Sequence, residues 1–289
     1  TRDSQLALLD QMLLAWADTS GMAKSLDARA AGSYKVEYLN FGSISRSSHL
    51  QPNTATTAVT TSLTNADNPL INDTYRTLIT TWNNKIHILE AFNGSYFFQI
   101  PGQNQEGGGA ATGIWTANAT SYSLAPNPAN LQTLAISYSQ PQLDLLNSAY
   151  TSLRQAVYET LILQTRLKNY LDLIDLSITE TSISLDFSAL TQAFQDKLAT
   201  DPVNGLTDLI EFNKFTRGIL SGTQWDGMAL MEDAIRTTPF TAELQNLYTS
   251  LGVSLNPAAH GNDQDNIILG DTVNRALYGN NGNDILLGG

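Results

Sequence analysis

The chain has 289 residues, no cysteine and a formal net charge of −12. The missing cysteines exclude disulfides and thiolate metal sites, and the acidic balance repels phosphate backbones, so no nucleic-acid partner is expected. No run of about 18 apolar residues occurs, so no transmembrane segment is expected either. Charged residues make up only 15% of the chain, against about 25% in ordinary soluble proteins, and Thr, Ser, Asn and Gln take their place. Such an acidic surface suits a calcium-rich exterior, where divalent ions offset self-repulsion. The N-terminal stretch TRDSQLALLD lacks the basic and apolar regions of a signal peptide.

The first predicted element is a helix over DSQLALLDQMLLAWADTSG, with Asp3 or Ser4 as its cap. Leu6, Leu9, Leu13 and Trp16 form its apolar face, and Gly21 ends it. YKVEYLNFG alternates and predicts a strand, and the Thr- and Asn-rich stretch after it predicts a loop. A second helix opens at Asn72 or Asp73, carries Tyr75, Leu78, Ile79, Trp82, Ile86 and Leu89, and stops at Asn93-Gly94. SYFFQI and LQTLAISYS flank a glycine-rich tip and predict a hairpin or loop insertion near 95–138. The longest apolar seam runs from Leu143 to Ile174 at spacings of three and four, with Ser139 as candidate cap. SISLDF predicts a short strand or turn. Helices are expected near 187–200, 205–220 and 227–236, and a last one in TAELQNLYTSLG ends at Gly252. Most of the apolar periodicity is 3.6, which predicts a mainly α module over 1–252, a helical bundle with a small β element.

A different period begins after a connection at 253–260. Glycines recur every nine residues, at Gly261, Gly270, Gly279 and Gly288, with aliphatics in phase at Ile268, Leu277 and Leu286. This nonapeptide pattern matches the consensus G-G-x-G-x-D-x-U-x and predicts the start of a parallel β-roll over 261–289. The glycines permit tight turns and expose carbonyls, and the aspartates and amides supply the hard oxygens that Ca²⁺ takes. The candidate ligands are Asp284, Asn283, Gly282, Asn281, Gly279, Asp271, Asp265 and Asp263. Asp284 is the one consensus aspartate at the sixth place of a unit; Asn266 and Arg275 stand there in the first two units. The aliphatic at the eighth place is expected to point inward. The blander alternative is a Gly- and Asn-rich tail without structure. The near-consensus turn at 279–287 suggests an array that continues past residue 289.

No motif for a known catalytic site is present: no H-E-x-x-H, no G-x-S-x-G and no P-loop. His87 and Glu90 share a helix face, as half a metal site, an acid–base pair or, more simply, a hydrogen-bonded brace. Asp172 with Asp175, and Asp208 with Glu211, are carboxylate pairs three apart that read as solvated charge. Trp16 and Trp82 are expected in the core, and Trp115 is the best candidate for an exposed aromatic. Asp201-Pro202 reads as a turn rather than a cleavage site.

The nine-residue units resemble the repeats of bacterial RTX proteins exported by type I secretion systems. LLAWADTSGM, KIHILEAFNG, QTRLKNYLD and NGLTDLIEFNK resemble the module preceding the repeats in large iron-regulated, Frp-like RTX proteins. The resemblance implies Ca²⁺ as the ion, a type I secretion system as the export partner, a secreted, extracellular location, and a host or bacterial cell surface as a further partner. It implies no activity for the helical module. The expected function is therefore a calcium-binding structural or interaction region whose repeats fold outside the cell. The alternatives are a membrane-active, haemolysin-like toxin segment and a hydrolase with an unrecognised site.

Overall fold

A computed structural model describes residues 2–25, 28–29, 34–41, 44–45, 73–97, 132–256, 260–262, 264–271, 273 and 276–288. The chain is mainly helical, with eight helices and eight short strands among the described residues. It divides into two units, one of Ser4–Ala156 and one of Thr1–Asp3 with Val157–Gly289.

In the first unit, α1 (Arg2–Asp18) buries Leu9, Leu13 and Ala17. Steps of four keep one line of side chains facing inward. Trp16 lies beside that line, and against expectation it is 46% exposed, with Phe92 as an aromatic neighbour at 6.4 Å. β1 (Tyr34–Phe41) pairs antiparallel with β2 (Ile44–Ser45) and parallel with β3 (Gln132–Tyr138). The hairpin expected of SYFFQI with LQTLAISYS involves residues 98–100, which lie outside the described residues; the described partner of β3 is β1. Parallel neighbours need a long crossover rather than a tight turn, and α2 (Asp73–Asn93) lies between them in sequence. α2 buries the run Ile86–Glu90, and the Tyr38 hydroxyl donates to Asn83 Oδ1 at 3.0 Å. Gly94 closes the helix at φ +68°, a conformation glycine adopts without strain. In α3 (Gln140–Gln164) the Gln142 side chain reaches back to accept the Ser139 N–H at 2.8 Å, one half of a capping box. Leu143, Leu146 and Tyr150 are buried, and the Tyr150 hydroxyl donates to Asp10 at 2.6 Å.

The second unit begins in the last part of α3, which buries Tyr158 and Ile162. The expected long seam breaks here. After Gln164 the chain makes a turn in which the Leu167 N–H donates to the Ile162 carbonyl at 2.9 Å. Leu167 is wholly buried at this turn. A one-turn helix, α4 (Lys168–Leu171), follows, and then a hairpin of β4 (Asp175–Ile178) and β5 (Ile183–Asp186). Leu167 and Leu171 keep helical phase across the turn, which is why apolar spacing alone runs through it. Asp172 forms an exposed pair with Lys168, as expected of solvated charge, but Asp175 starts a strand.

α5 (Ser188–Thr200), α6 (Pro202–Leu220), α7 (Gly227–Thr237) and α8 (Ala242–Leu251) complete the helices. Their core is aromatic. Tyr170 stacks on Phe194 at 4.2 Å, Phe194 meets Phe212 at 5.4 Å, and Phe212 meets Trp225 at 5.8 Å. Such pairs add about 0.5–1.5 kcal/mol each beyond area burial. The Trp225 indole N–H donates to Asn213 Oδ1 at 2.9 Å, and Asn213 Nδ2 donates to the Gly227 and Leu209 carbonyls. Asp201 caps α6, accepting from Lys197 and from the Asn204 side chain at 2.8 Å each, with Pro202 in the first helical turn. The Asp201-Pro202 bond is thus part of a helix start.

α8 ends at Gly252, which is left-handed at φ +70°. The chain then enters a second kind of structure. β6 (Val253–Ser254), β7 (Ile267–Leu269) and β8 (Ile285–Leu287) form a parallel sheet in that order. His260 bridges to Tyr278, also parallel, and the two rings stack at 4.8 Å.

Candidate cation-binding turns

Glycine and aspartate place the sheet's turns in register. Ile267 pairs with Ile285 and Leu269 with Leu287, so equivalent residues lie eighteen apart, two nine-residue units. The same step governs the side chains. Asp284 Oδ1 accepts the Asn266 N–H at 2.8 Å, linking the sixth places of two units. Asp265 Oδ1 accepts the Asn283 N–H at 2.7 Å, linking their fifth places. Ile285 N–H donates to the Asn266 carbonyl at 2.8 Å, and Asn280 Nδ2 to the Gly261 carbonyl at 2.6 Å. Asn266, the amide at the place of an expected aspartate, is buried, and its Oδ1 accepts the Asn262 N–H at 2.7 Å. It closes the turn from within.

Each glycine at a contact has a physical reason. A Cβ on Gly279 would lie 2.2 Å from Asp284 Oδ2, and one on Gly282 would lie 2.5 Å from the Gln264 carbonyl oxygen. Gly282 also has φ +115°, outside what side-chain-bearing residues adopt. Asp271 closes a separate turn by accepting the Val273 N–H at 3.0 Å. Asn281 and Asn283 are exposed. Asp263 and Arg275 lie outside the described residues. Among the side chains at the eighth place, Ile268 is fully buried, Leu277 half-buried and Leu286 44% exposed. Side chains alternate along a strand, so Ile285 is buried where Leu286 is not. β7 is flanked by β6 and β8, whereas β8 has β7 alone beside it among the described residues.

The donor set is all oxygen. Asp265 and Asp284 each spend one carboxylate oxygen on a backbone N–H of the neighbouring turn. Their Oδ2 atoms make no hydrogen bond among the described residues and sit beside turns whose glycines bare the backbone. Among the described residues, no three His, Asp or Glu side chains converge on a point where a metal ion fits. Carboxylate and backbone carbonyl oxygens are the kind of donor that Ca²⁺ takes.

Three basic residues reach these turns, and the sequence pattern did not single them out. Lys214 Nζ donates to the Asp265 carbonyl at 2.6 Å and to the Leu251 carbonyl at 3.1 Å. Arg217 donates to the Asp284 carbonyl at 2.7 Å, and Arg236 to the Gly270 carbonyl at 2.8 Å. Burial pushes the Lys214 ammonium below its ordinary pKa, with Asp265 opposing the shift. The only sequence signal was two basic residues three apart near the end of a helix.

The other paired candidates are engaged by further groups among the described residues. Asp208 and Glu211 are buried, not solvated, and Arg166 bridges both. Tyr158 donates to Glu211 at 3.0 Å, Tyr170 to Asp208 at 3.1 Å, and Arg2 lies 3.3 Å from Glu211. Burial would lower the Arg166 pKa, but Glu211 and Asp208 outweigh it and hold the guanidinium protonated. Burial raises the Asp208 carboxyl, with Arg166 and Tyr170 pulling it down. His87 and Glu90 are also buried, but they do not brace each other. His87 Nε2 meets Asp18 Oδ1 at 3.1 Å, while Glu90 accepts the Phe97 N–H at 2.8 Å. His49 and Trp115 lie outside the described residues.

Comparison with protein families and with solved structures finds no match. Over 125 residues, 42% of its length, the chain is 30% identical to iron-regulated protein FrpA of Neisseria meningitidis serogroup C. It spans 11% of that protein. The chain is thus a distant relative of one small part of a much longer, iron-regulated protein.

Proposed function

We propose that residues 253–289 are the opening coils of a calcium-binding parallel β-roll, and that the chain is a structural or interaction region of a large secreted RTX protein. The observation that carries this reading is the side-chain register: Asp265 on Asn283 and Asp284 on Asn266, each eighteen residues apart. Two nonapeptides then make one coil, and each coil offers carboxylate oxygens to the next. Asp284, Asp265 and the carbonyls around Gly279 and Gly282 are the proposed Ca²⁺ ligands, with Asn281, Asn283, Asp271 and Asp263 as further oxygen donors of the same turns. Calcium binding contributes directly to folding where the site forms only in the folded state. Low calcium inside the cell would keep the repeats open for a type I secretion system, and the extracellular ion would close them. The helical module would then face a host or bacterial cell surface.

The test is a calcium titration followed by calorimetry and circular dichroism on wild type and Asp284→Asn. Wild type should bind Ca²⁺ and melt at a lower temperature in EGTA, and Asp284→Asn should lose most of both effects. Identical melting of wild type in calcium and EGTA, with no heat of binding, would remove the reading. The membrane-active alternative gains less support, since no helix among the described residues is long and apolar enough to cross a membrane. The hydrolase alternative rests on His87 and Glu90, both buried and committed to other partners.

A further inference from the structure

The carbonyls that join the first coils to the helices are met by protein cations. Lys214 and Arg217 lie three apart on α6, a rise of about 4.5 Å along a helix. Neighbouring strands lie about 4.8 Å apart. The two spacings match, and the contacts follow them: Lys214 takes the carbonyl of Asp265, just before β7, and Arg217 that of Asp284, just before β8. Lys214 also takes the carbonyl of Leu251, at the end of α8. One ammonium thus gathers oxygens from the last helix and the first turn, the task a bound cation performs between turns. α6 ends at Leu220 and carries no basic residue after Arg217.

We propose that Lys214 and Arg217 are built-in substitutes for a metal cation, which hold β7 and β8 against α6 without calcium and give the roll a preformed first rung. The helical unit then serves as the template on which calcium-dependent coils build. The proposal deepens the calcium-binding reading and rests on it for the coils that follow, but its own claim concerns the state without calcium. It also accounts for the worn first unit: Asn266 satisfies its turn internally, so the first rung does not need the charge of an aspartate there.

The test is hydrogen–deuterium exchange of peptides covering β7 and β8, in EGTA and in millimolar calcium, on wild type, Lys214→Met and Arg217→Met. In EGTA, wild type should protect the Ile267 amide, which donates to the Gly252 carbonyl at 2.9 Å. Lys214→Met should exchange it about 10- to 100-fold faster, the effect of losing charge-assisted hydrogen bonds. Arg217→Met, an exposed position, should speed exchange in β8 and spare β7. Unprotected β7 in wild type without calcium would overturn the proposal, as would Lys214→Met exchanging like wild type. Should Lys214→Met also expose the interior of α6, Arg217→Met decides: unchanged β8 protection in EGTA overturns the proposal. A wild type that binds no calcium in calorimetry would sink the calcium reading alone, since the EGTA comparison still decides the role of the two cations.

Discussion

Replacing Arg166 by Met should destabilise α6 through charge rather than packing. The Arg166 side chain is 28% exposed, while the side chains it bridges, Asp208 and Glu211, are 9% and 1% exposed. Removing one partner of a buried pair costs about 3–5 kcal/mol. Two features reduce that figure here. Arg166 is partly hydrated, and Arg2, Tyr158 and Tyr170 remain as partners for the stranded carboxylates. A loss of about 2–3 kcal/mol is expected, which speeds amide exchange about 30- to 150-fold where opening of the helix limits it. Exchange mass spectrometry on a peptide spanning residues 206–216 reads this directly. Adding Glu211→Gln to Arg166→Met removes one stranded charge and should restore about 1 kcal/mol. Exchange within about threefold of wild type, or a double variant no better than the single, would refute an energetically significant ion cluster.

Asn213→Leu keeps the branched heavy-atom skeleton but strands the Trp225 indole N–H and the Gly227 carbonyl; a loss of about 2–4 kcal/mol is expected in urea denaturation, and a loss under 1 kcal/mol would show that water replaces the amide. Gly282→Ala adds a methyl 2.5 Å from the Gln264 carbonyl oxygen at φ +115°; it should cost about 1–3 kcal/mol and raise the calcium needed for half-maximal folding in a circular-dichroism titration. Asp201 is held down to about 2, first by the Lys197 ammonium and the Asn204 amide. Its folded pKa lies below its ordinary 3.8, so its stabilisation is fully present above that value and is lost as pH falls towards 2. Asp201→Ala should therefore melt below wild type at pH 5, and the gap should close near pH 2; a gap that persists there would exclude the carboxylate as its source.

Local signals were legible where one residue decides the outcome. Gly252 ends α8 as expected, in the left-handed conformation, and Ser139 lies at the start of α3. The nine-residue period was legible because glycine and aspartate each answer a local need at a turn. The eighteen-residue pairing was not, because it depends on how many units close a coil, a property of the stack rather than of any unit. Arg166 shows the same limit. Its partners lie 42 and 45 residues later, and it sits in a turn that helical spacing passed through. With that turn unseen, Asp208 and Glu211 read as surface charge, although each is buried by its place on α6. Trp16 failed in the opposite direction: one step around the helix separates it from the buried line Leu9, Leu13 and Ala17.

The pairing step sets a quantum of length for the tail. A unit does not lie against its neighbour in sequence but against the next but one, as His260 does with Tyr278 and Ile267 with Ile285. Inserting nine residues between the first and second units would bring the second unit, with Arg275 at its sixth place, to where the third now offers Asp284 to the first. Insertions and deletions in such an array should therefore be tolerated in steps of eighteen residues and penalised in odd multiples of nine. Two interleaved sequences, each free to drift from the other, share one chain.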